Sequence, residues 1–160
     1  MTADELKLVA RRFFEEVWNE GSPTAVEDLS ASDIVAYDAG HPEPVRGIEA
    51  EKERVRQYRS AFPDVHFTVK DQIAEGDKVL SRWEVHATHQ GALLGIPPTG
   101  KSFTVSGMTV DQIADGKIFQ SWINWDTLGL MQQIGVIPKL GQGGFMLRML
   151  LLLRRFKRWP

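Results

Sequence analysis

The chain has 160 residues, of which 42% are apolar and 25% charged, the balance of one soluble globular domain and not of a disordered or low-complexity polymer. The lack of cysteine excludes disulfides, cysteine nucleophiles and thiolate metal sites. The net charge is −2, but residues 144–160 carry five cations and no anion, so the rest of the chain carries −7, which disfavours nucleic-acid binding. The polar N-terminus shows no secretory signal, so we expect a cytoplasmic protein.

The first third of the chain has mostly the apolar spacing of helices, with apolar residues recurring at steps of three and four. Ser22 and Pro23 have the residue types of a helix N-terminus, and Pro63 is a stop signal. Helices are therefore predicted over residues 3–19, 23–29 and 48–61, with a short strand over 33–37.

After Val65 the apolar period changes to two, which is typical of strands. Strands are predicted over residues 66–74, 78–90, 102–114 and 117–125, followed by a helix over 126–134. This order indicates an α+β domain in which helices pack on one face of a curved antiparallel sheet. Such an arrangement leaves an apolar pocket between the layers, which is the usual position of a ligand site.

The strand over 78–90 has a clear inner and outer parity. Its odd positions include Val79, Trp83 and Val85 and are predicted to pack in the core, whereas its even positions face water. None of the four histidines has a helical metal-ligand spacing, so no metal site is expected.

Asp126 stands where the last strand passes into the final helix, close to Trp122 and Trp125. Aspartate is a preferred N-cap, so this residue has a structural explanation. Alternatively, the two tryptophans bury the carboxyl group and raise its pKa, which would suit a general acid or base. One residue can serve in both ways, and the sequence leaves both roles open.

Five stretches together resemble the SnoaL-like polyketide cyclases of the nuclear transport factor 2-like superfamily. They are FFEEVWNEG, FPDVHFTV, AEGDKV, ATHQGALLGIPPTGK and ADGKIFQSWINWDTLGLMQQIGVIP, in this order and spacing. The resemblance implies a cone-shaped α+β domain over residues 1–138, with a deep apolar cavity and a separate tail over 139–160.

The same resemblance implies a chemistry. Cyclases of the family close a ring by intramolecular aldol condensation without metal or cofactor, and a buried aspartate at the end of the last strand is their general acid/base. Asp126 matches that position. A small apolar carbonyl or polyketide-like compound is therefore the expected substrate, and the chain is expected to form a homodimer.

Further site residues follow from the matching positions on the preceding strand, which are Met108, Val110 and Gln112. Gln112 would polarise a carbonyl, and the family's histidine is missing from this strand. Tyr37, His86 or His89 is the expected polar partner in its place. Contacts to the substrate are expected from Tyr37, Trp83, His89, Met108, Val110, Trp122 and Asn124.

Two rival functions stay open. Limonene-type epoxide hydrolases of the same superfamily use two carboxylates bridged by an arginine, and Arg82, Glu84 and Asp126 resemble that set. In this reading one carboxylate deprotonates water and the other protonates the epoxide oxygen. The third reading is a non-catalytic module that binds a small molecule.

The tail GGFMLRMLLLLRRFKRWP is not explained by the resemblance. Its five-residue apolar run is too short to cross a bilayer. Drawn as a helix, it has an apolar side and a side with five cations, so it is predicted to lie on an anionic membrane, against its own or a partner subunit, or over the cavity mouth.

Overall fold

The computed structural model describes residues 1–93 and 95–138. The predicted amphipathic tail over 139–160 lies outside the described residues. The elements are α1 (Ala3–Arg12) with a π-helical continuation (Phe13–Asn19), α2 (Pro23–Leu29), β1 (Ser30–Asp38), β2 (Val45–Arg46), α3 (Ile48–Ala61), β3 (His66–Glu75), β4 (Lys78–Thr88), β5 (Ser102–Ala114), β6 (Lys117–Trp125) and α4 (Thr127–Gln133). They follow one another in the order that the sequence predicts, with one additional strand, β2, between β1 and α3.

Local signals in the sequence explain where the helices begin. Thr2 and Glu5 form a reciprocal capping box at α1, and Ser22 caps α2 with Pro23 in its first turn. The predicted helix over 3–19 is continuous, but its second half winds as a π-helix. That segment places Phe13, Phe14, Val17 and Trp18 in the core.

The sheet has the order β2-β1-β6-β5-β4-β3. Neighbouring strands are antiparallel except β1 and β6, which are parallel and place Asp38 beside Ile123. The register shifts at Val69–Asp71 and Gln112–Ile113, and irregularities of this kind bend a sheet locally. The α+β prediction is confirmed, with the helices against the concave face.

Strand parity decides which side chains face the helices. On β4 the odd positions are buried, as predicted. On β5 the odd positions are buried as well, from Phe103 to Ile113, so the inner row contains Thr109 and Asp111. On β6 the inner row consists of Ser121, Ile123 and Trp125, because these residues pair with the inner row of β5.

Candidate active site

A cavity of about 70 Å³ lies between the concave face of the sheet and the helices. Nine of its nineteen lining residues are aromatic, because the π-helical segment, α3 and the inner rows of the strands all direct rings toward it. The aromatic residues are Phe13, Phe14, Trp18, Tyr58, Phe62, Phe67, Trp83, Phe103 and Trp125. Polar groups enter it from Asp38, Arg54, Tyr58, Thr109, Asp111 and Ser121.

Asp111 is the acid that the inner row of β5 carries into this cavity, with 3% of its surface exposed. The hydroxyl of Ser121, its partner across β6, donates a hydrogen bond to Asp111 Oδ1. Burial raises the pKa of Asp111 to about 7, and the nearby Glu51 adds to this, while Ser121 and Arg54 act in the opposite direction. A carboxyl with this pKa takes and returns protons near neutral pH.

Arg54 bridges two buried carboxylates near Asp111. Its Nε and Nη2 donate to Glu51 Oε2 and Oε1 at 3.0 and 2.5 Å, and its Nη1 donates to Asp38 Oδ2 at 2.8 Å. Burial alone would lower the pKa of Arg54, but Glu51 and Asp38 outweigh it and raise that pKa. The guanidinium is therefore a permanent cation whose charge is already matched by protein carboxylates.

Asp38 is fixed from its other side as well. The indole Nε1 of Trp125 donates to Asp38 Oδ1 at 2.9 Å, and the backbone N–H of Gly40 donates to the same oxygen at 2.8 Å. With the bond from Arg54, three donors hold this carboxylate. The Asp38 carboxylate therefore connects the end of β1 to β6 and α3.

Tyr58 closes the polar end of the cavity from α3. Its ring makes edge contacts with Trp18 and Trp125 at centroid distances of 6.0 and 6.4 Å. Burial raises the pKa of the Tyr58 phenol, and the negative charge of Asp38 raises it further. The phenol therefore keeps its proton at neutral pH and can only act as a neutral hydrogen-bonding group.

Trp83 and Thr109 are joined across β4 and β5. The indole Nε1 of Trp83 donates to Thr109 Oγ1 at 2.9 Å, and both side chains are buried. The Trp83 ring also contacts Phe67 at 5.0 Å between centroids. Trp83 therefore lies in the cavity wall, and its contact with a substrate stays a prediction.

The expectation that Asp126 is buried is wrong. Its side chain is exposed and accepts a hydrogen bond from the backbone N–H of Gly129 at 2.7 Å, as the N-cap of α4. The physical reason is that Trp125 takes the last inner position of β6, so the following residue no longer faces the concave side. Of the two roles that the sequence left open, the structure shows the cap.

Arg82 and Glu84 lie on the outer face of the sheet, because they occupy even positions of β4. Arg82 forms an ion pair with Asp71, and Glu84 lies 3.1 Å from the ammonium of Lys70. Since Asp126 is also outside the cavity, the structure does not bring together the three residues expected for an epoxide hydrolase.

The expected site residues of β5 also point outward. Met108 is exposed and Val110 half-buried, and Gln112 donates to Asp77 Oδ2 at 2.8 Å on the far side of the sheet. The expectation failed because the even positions of β5 belong to its outer row, whereas Thr109 and Asp111 belong to the inner row. Exposed His86 lies on the same outer side, where its Nδ1 is 3.1 Å from Thr104 Oγ1.

The other predicted residues lie at two further places. Tyr37, Trp122 and Asn124 line a separate surface hollow, where the rings of Tyr37 and Trp122 are stacked at 5.9 Å. His89 is fully buried after β4, but it is not part of the cavity wall. Its Nδ1 accepts a hydrogen bond from the backbone N–H of Thr99 at 3.3 Å, so it fastens the following loop.

A family model described as SnoaL-like polyketide cyclase matches residues 8–134. The chain belongs to the SnoaL-like polyketide cyclase family. A curated relative, aklanonic acid methyl ester cyclase DnrD of Streptomyces peucetius, is 31% identical over 123 residues, covering 75% of this chain and 84% of the relative.

Solved structures agree with this family membership. A candidate polyketide cyclase of Acidithiobacillus ferrooxidans is 35% identical and has a TM-score of 0.74, covering 84% of this chain and 97% of that one. TsrD of Streptomyces laurentii is 28% identical with a TM-score of 0.77, covering 86% and 99%. The resemblance stated from the sequence is confirmed, as is its nuclear transport factor 2-like fold. Relatives named as cyclases support an enzyme of the cyclase type.

Sequence reasoning on this SnoaL-like chain missed Asp38, Arg54, Thr109, Asp111 and Ser121 as site residues. One signal was available. Phe103, Val105 and Ile113 are apolar at odd positions of β5, so the row that they define contains Asp111 as its one carboxylate. An ionisable residue in an otherwise apolar row is a mark of a functional site.

Within residues 1–93 and 95–138, no group of three histidine, aspartate or glutamate side chains is arranged to hold a metal ion. No helix in the same part of the chain is long and apolar enough to cross a membrane.

Proposed function

We propose that this protein is a cofactor-independent cyclase in which Asp111 is the general acid/base for an intramolecular aldol reaction of a small apolar carbonyl or polyketide-like compound. The observation that carries the proposal is the Asp111 carboxyl, buried in an aromatic cavity that raises its pKa to about 7. Membership of the cyclase family and the name of the relative DnrD support the reaction class.

The reaction needs one group that first accepts and then returns a proton. The Asp111 carboxylate takes a proton from a carbon beside a carbonyl. The electron pair of that C–H bond forms the C=C bond of an enolate, and the π pair of the carbonyl moves to its oxygen. The enolate carbon then bonds to a second carbonyl carbon of the same molecule. The resulting alkoxide takes the proton from the Asp111 carboxyl, which regenerates the carboxylate.

The surroundings of Asp111 suit this cycle. The Ser121 hydroxyl donates to Oδ1, which orients the carboxyl group in the sheet. We assign the second oxygen, Oδ2, as the atom that takes the proton from the reacting carbon. The aromatic wall shields the enolate from direct contact with solvent, so a proton, or a deuteron in D2O, reaches the enolate carbon through the Asp111 carboxyl after that carboxyl has exchanged with the solvent.

Proton transfer at Asp111 can be tested with 2-indanone, a compact neutral ketone with activated C–H groups. We expect the protein to accelerate deuterium exchange from D2O into 2-indanone, measured by proton NMR. Asp111→Asn should reduce the rate to that of buffer, because the amide cannot accept the proton. Asp126→Asn is the matched control, since its exposed side chain retains the cap, and it should exchange at the wild-type rate.

The rival functions give different results in the same set of experiments. If the protein does not accelerate exchange and Asp111→Asn binds 2-indanone as the wild type does, the proposal is overturned in favour of a binding module. Incorporation of labelled oxygen from water into an epoxide substrate would favour the hydrolase. The cytoplasmic location and the contact of the tail with a membrane stay predictions.

A further inference from the structure

The hydroxyl proton of Thr109 has no hydrogen-bond acceptor among the residues that the structure describes. An indole N–H can only donate, so in the bond between Trp83 and Thr109 the hydroxyl oxygen must be the acceptor. In the part of the chain that the structure describes, Thr109 Oγ1 makes this side-chain hydrogen bond and no other. The O–H of Thr109 is therefore left to donate to something that enters the cavity.

Thr109 and Asp111 are successive members of the inner row of β5 and both line the cavity. Alternate residues of a strand lie about 7 Å apart on the same face. A carbonyl oxygen and the C–H group beside it can bridge two side chains at that spacing, with one hydrogen-bonding contact to each. Ser121 is not available for the carbonyl oxygen, since its proton is donated to Asp111.

The indole of Trp83 is held in place from three directions. Phe67 packs against it, and its N–H is bonded to Thr109. Gly107, which pairs with Trp83 across the sheet, leaves the space that the ring fills, because a Cβ at Gly107 would lie 2.3 Å from Trp83 Cζ2. A rigid indole therefore fixes the rotation of the Thr109 hydroxyl.

We infer that Thr109 is a further catalytic residue of the proposed reaction: its hydroxyl donates a hydrogen bond to the carbonyl oxygen of the substrate while Asp111 removes the adjacent proton, and Trp83 is the positioning residue. The inference rests on the proposed function. The Thr109 proton stays on its own oxygen, so it stabilises the developing enolate without changing the proton balance. A donor that is already oriented in a cavity lined largely by aromatic rings is effective because it needs no reorganisation during the reaction.

Infrared spectroscopy of bound 2-indanone tests the hydrogen bond without requiring turnover. In the wild type and in Asp111→Asn, the carbonyl stretch of bound 2-indanone should lie at a lower frequency than the stretch of a carbonyl without a hydrogen bond. Thr109→Val, which keeps the branched shape without the donor, should lose the shift, and Thr109→Ser should restore it. An equal carbonyl frequency in the wild type and in Thr109→Val would overturn the inference.

Exchange kinetics with the same ketone test the catalytic role. Thr109→Val should lower kcat about 10- to 100-fold, with KM changed by less than about threefold, because the bond strengthens as the enolate forms. The pH midpoint near 7 should be unchanged, since Asp111 is intact. Trp83→Phe removes the orienting N–H together with part of the indole ring, and its kcat should fall between those of the wild type and Thr109→Val.

The two proposals fail in distinguishable ways. Full kcat in Thr109→Val together with an inactive Asp111→Asn would overturn the role of Thr109 and leave the proposed function standing. An active Asp111→Asn would overturn the proposed function, while the infrared shift would still report on the Thr109 donor.

Discussion

The burial that raises the pKa of Asp111 also lowers the free energy of unfolding once this carboxyl is ionised in the folded state. Between about pH 4 and pH 7 the folded state keeps the proton of this carboxyl, whereas the unfolded chain loses it. The folded state therefore binds more protons in this window, and the contribution of Asp111 to the free energy of unfolding falls as the pH rises. Above about pH 7 the loss is complete.

We therefore predict that Asp111→Asn is more stable than the wild type at pH 8, by an amount on the order of a few kcal/mol, and that the difference shrinks toward pH 5. Urea unfolding at the two pH values measures it. Asp126→Asn is the control and should follow the wild type. A difference that does not change between pH 5 and pH 8 would show that Asp111 titrates like an ordinary carboxyl.

Arg54 is a buried charge that stabilises the fold, unlike ionised Asp111, because its side chain is 4% exposed and forms ion pairs with two carboxylates. Arg54→Met would leave Asp38 and Glu51 buried without their cation. We predict a loss of about 3–5 kcal/mol in the free energy of unfolding, measured by urea denaturation. Arg56→Met, on the exposed side of α3, should stay within about 0.5 kcal/mol of the wild type, and an equal loss in both variants would contradict this account.

At the scale of elements, periodicity and turn residues predicted most of the fold. The bounds of α2, α3, β5 and β6 agree with the sequence prediction, because each is delimited by a cap, a proline or a Gly-containing turn. The two-residue strand β2 carries no periodic signal and was missed. The π-helical winding after Arg12 was missed as well, since its apolar spacing reads as an ordinary helix.

The site was less predictable than the elements, because it depends on which parity of each strand faces inward. On β4 the apolar residues decide this clearly. On β5 both rows contain apolar residues; Phe103, Val105 and Ile113 favour the odd row, and the burial pattern of the strand shows that this row faces the cavity. The orientation of Asp126 was left open as well, because a carboxyl that follows the last strand can face the cavity or cap α4, and here it caps α4.

The cap of α4 is itself testable. Asp126 Oδ1 accepts the N–H of Gly129, and a Cβ at Gly129 would lie 2.0 Å from Asp126 Oδ2, so the glycine leaves room for the carboxylate. Asp126→Ala should lower the free energy of unfolding by about 1 kcal/mol, and Asp126→Asn by much less. Thermal unfolding measures both. Loss of 2-indanone exchange in a folded Asp126→Asn would instead return the acid/base role to this residue.

At the scale of the molecule, the cavity exists only because distant parts of the chain meet. Asp38 ends β1, Arg54 and Tyr58 come from α3, and Asp111 comes from β5. No local pattern in the sequence predicts that Arg54 will connect Asp38, at the end of β1, with Glu51 in its own helix, α3. The resemblance to a family therefore predicted the cavity better than it predicted the residues within it.

The homodimer expected from the resemblance stays a prediction at this scale. Sedimentation equilibrium should give twice the 18.1 kDa of one chain, and a concentration-independent mass of one chain would contradict it.

The central claim is that the buried acid of the cavity is Asp111 and that it titrates near neutral pH. Carbon-13 NMR of protein with labelled aspartate carboxyl groups, titrated from pH 3 to pH 9, measures this directly, with Asp111→Asn identifying the signal. We predict that the signal missing from that variant has its midpoint near pH 7. A midpoint near pH 4 would contradict the account, because it would show that burial does not raise the pKa of Asp111. A carboxylate with that pKa is a weak base at neutral pH.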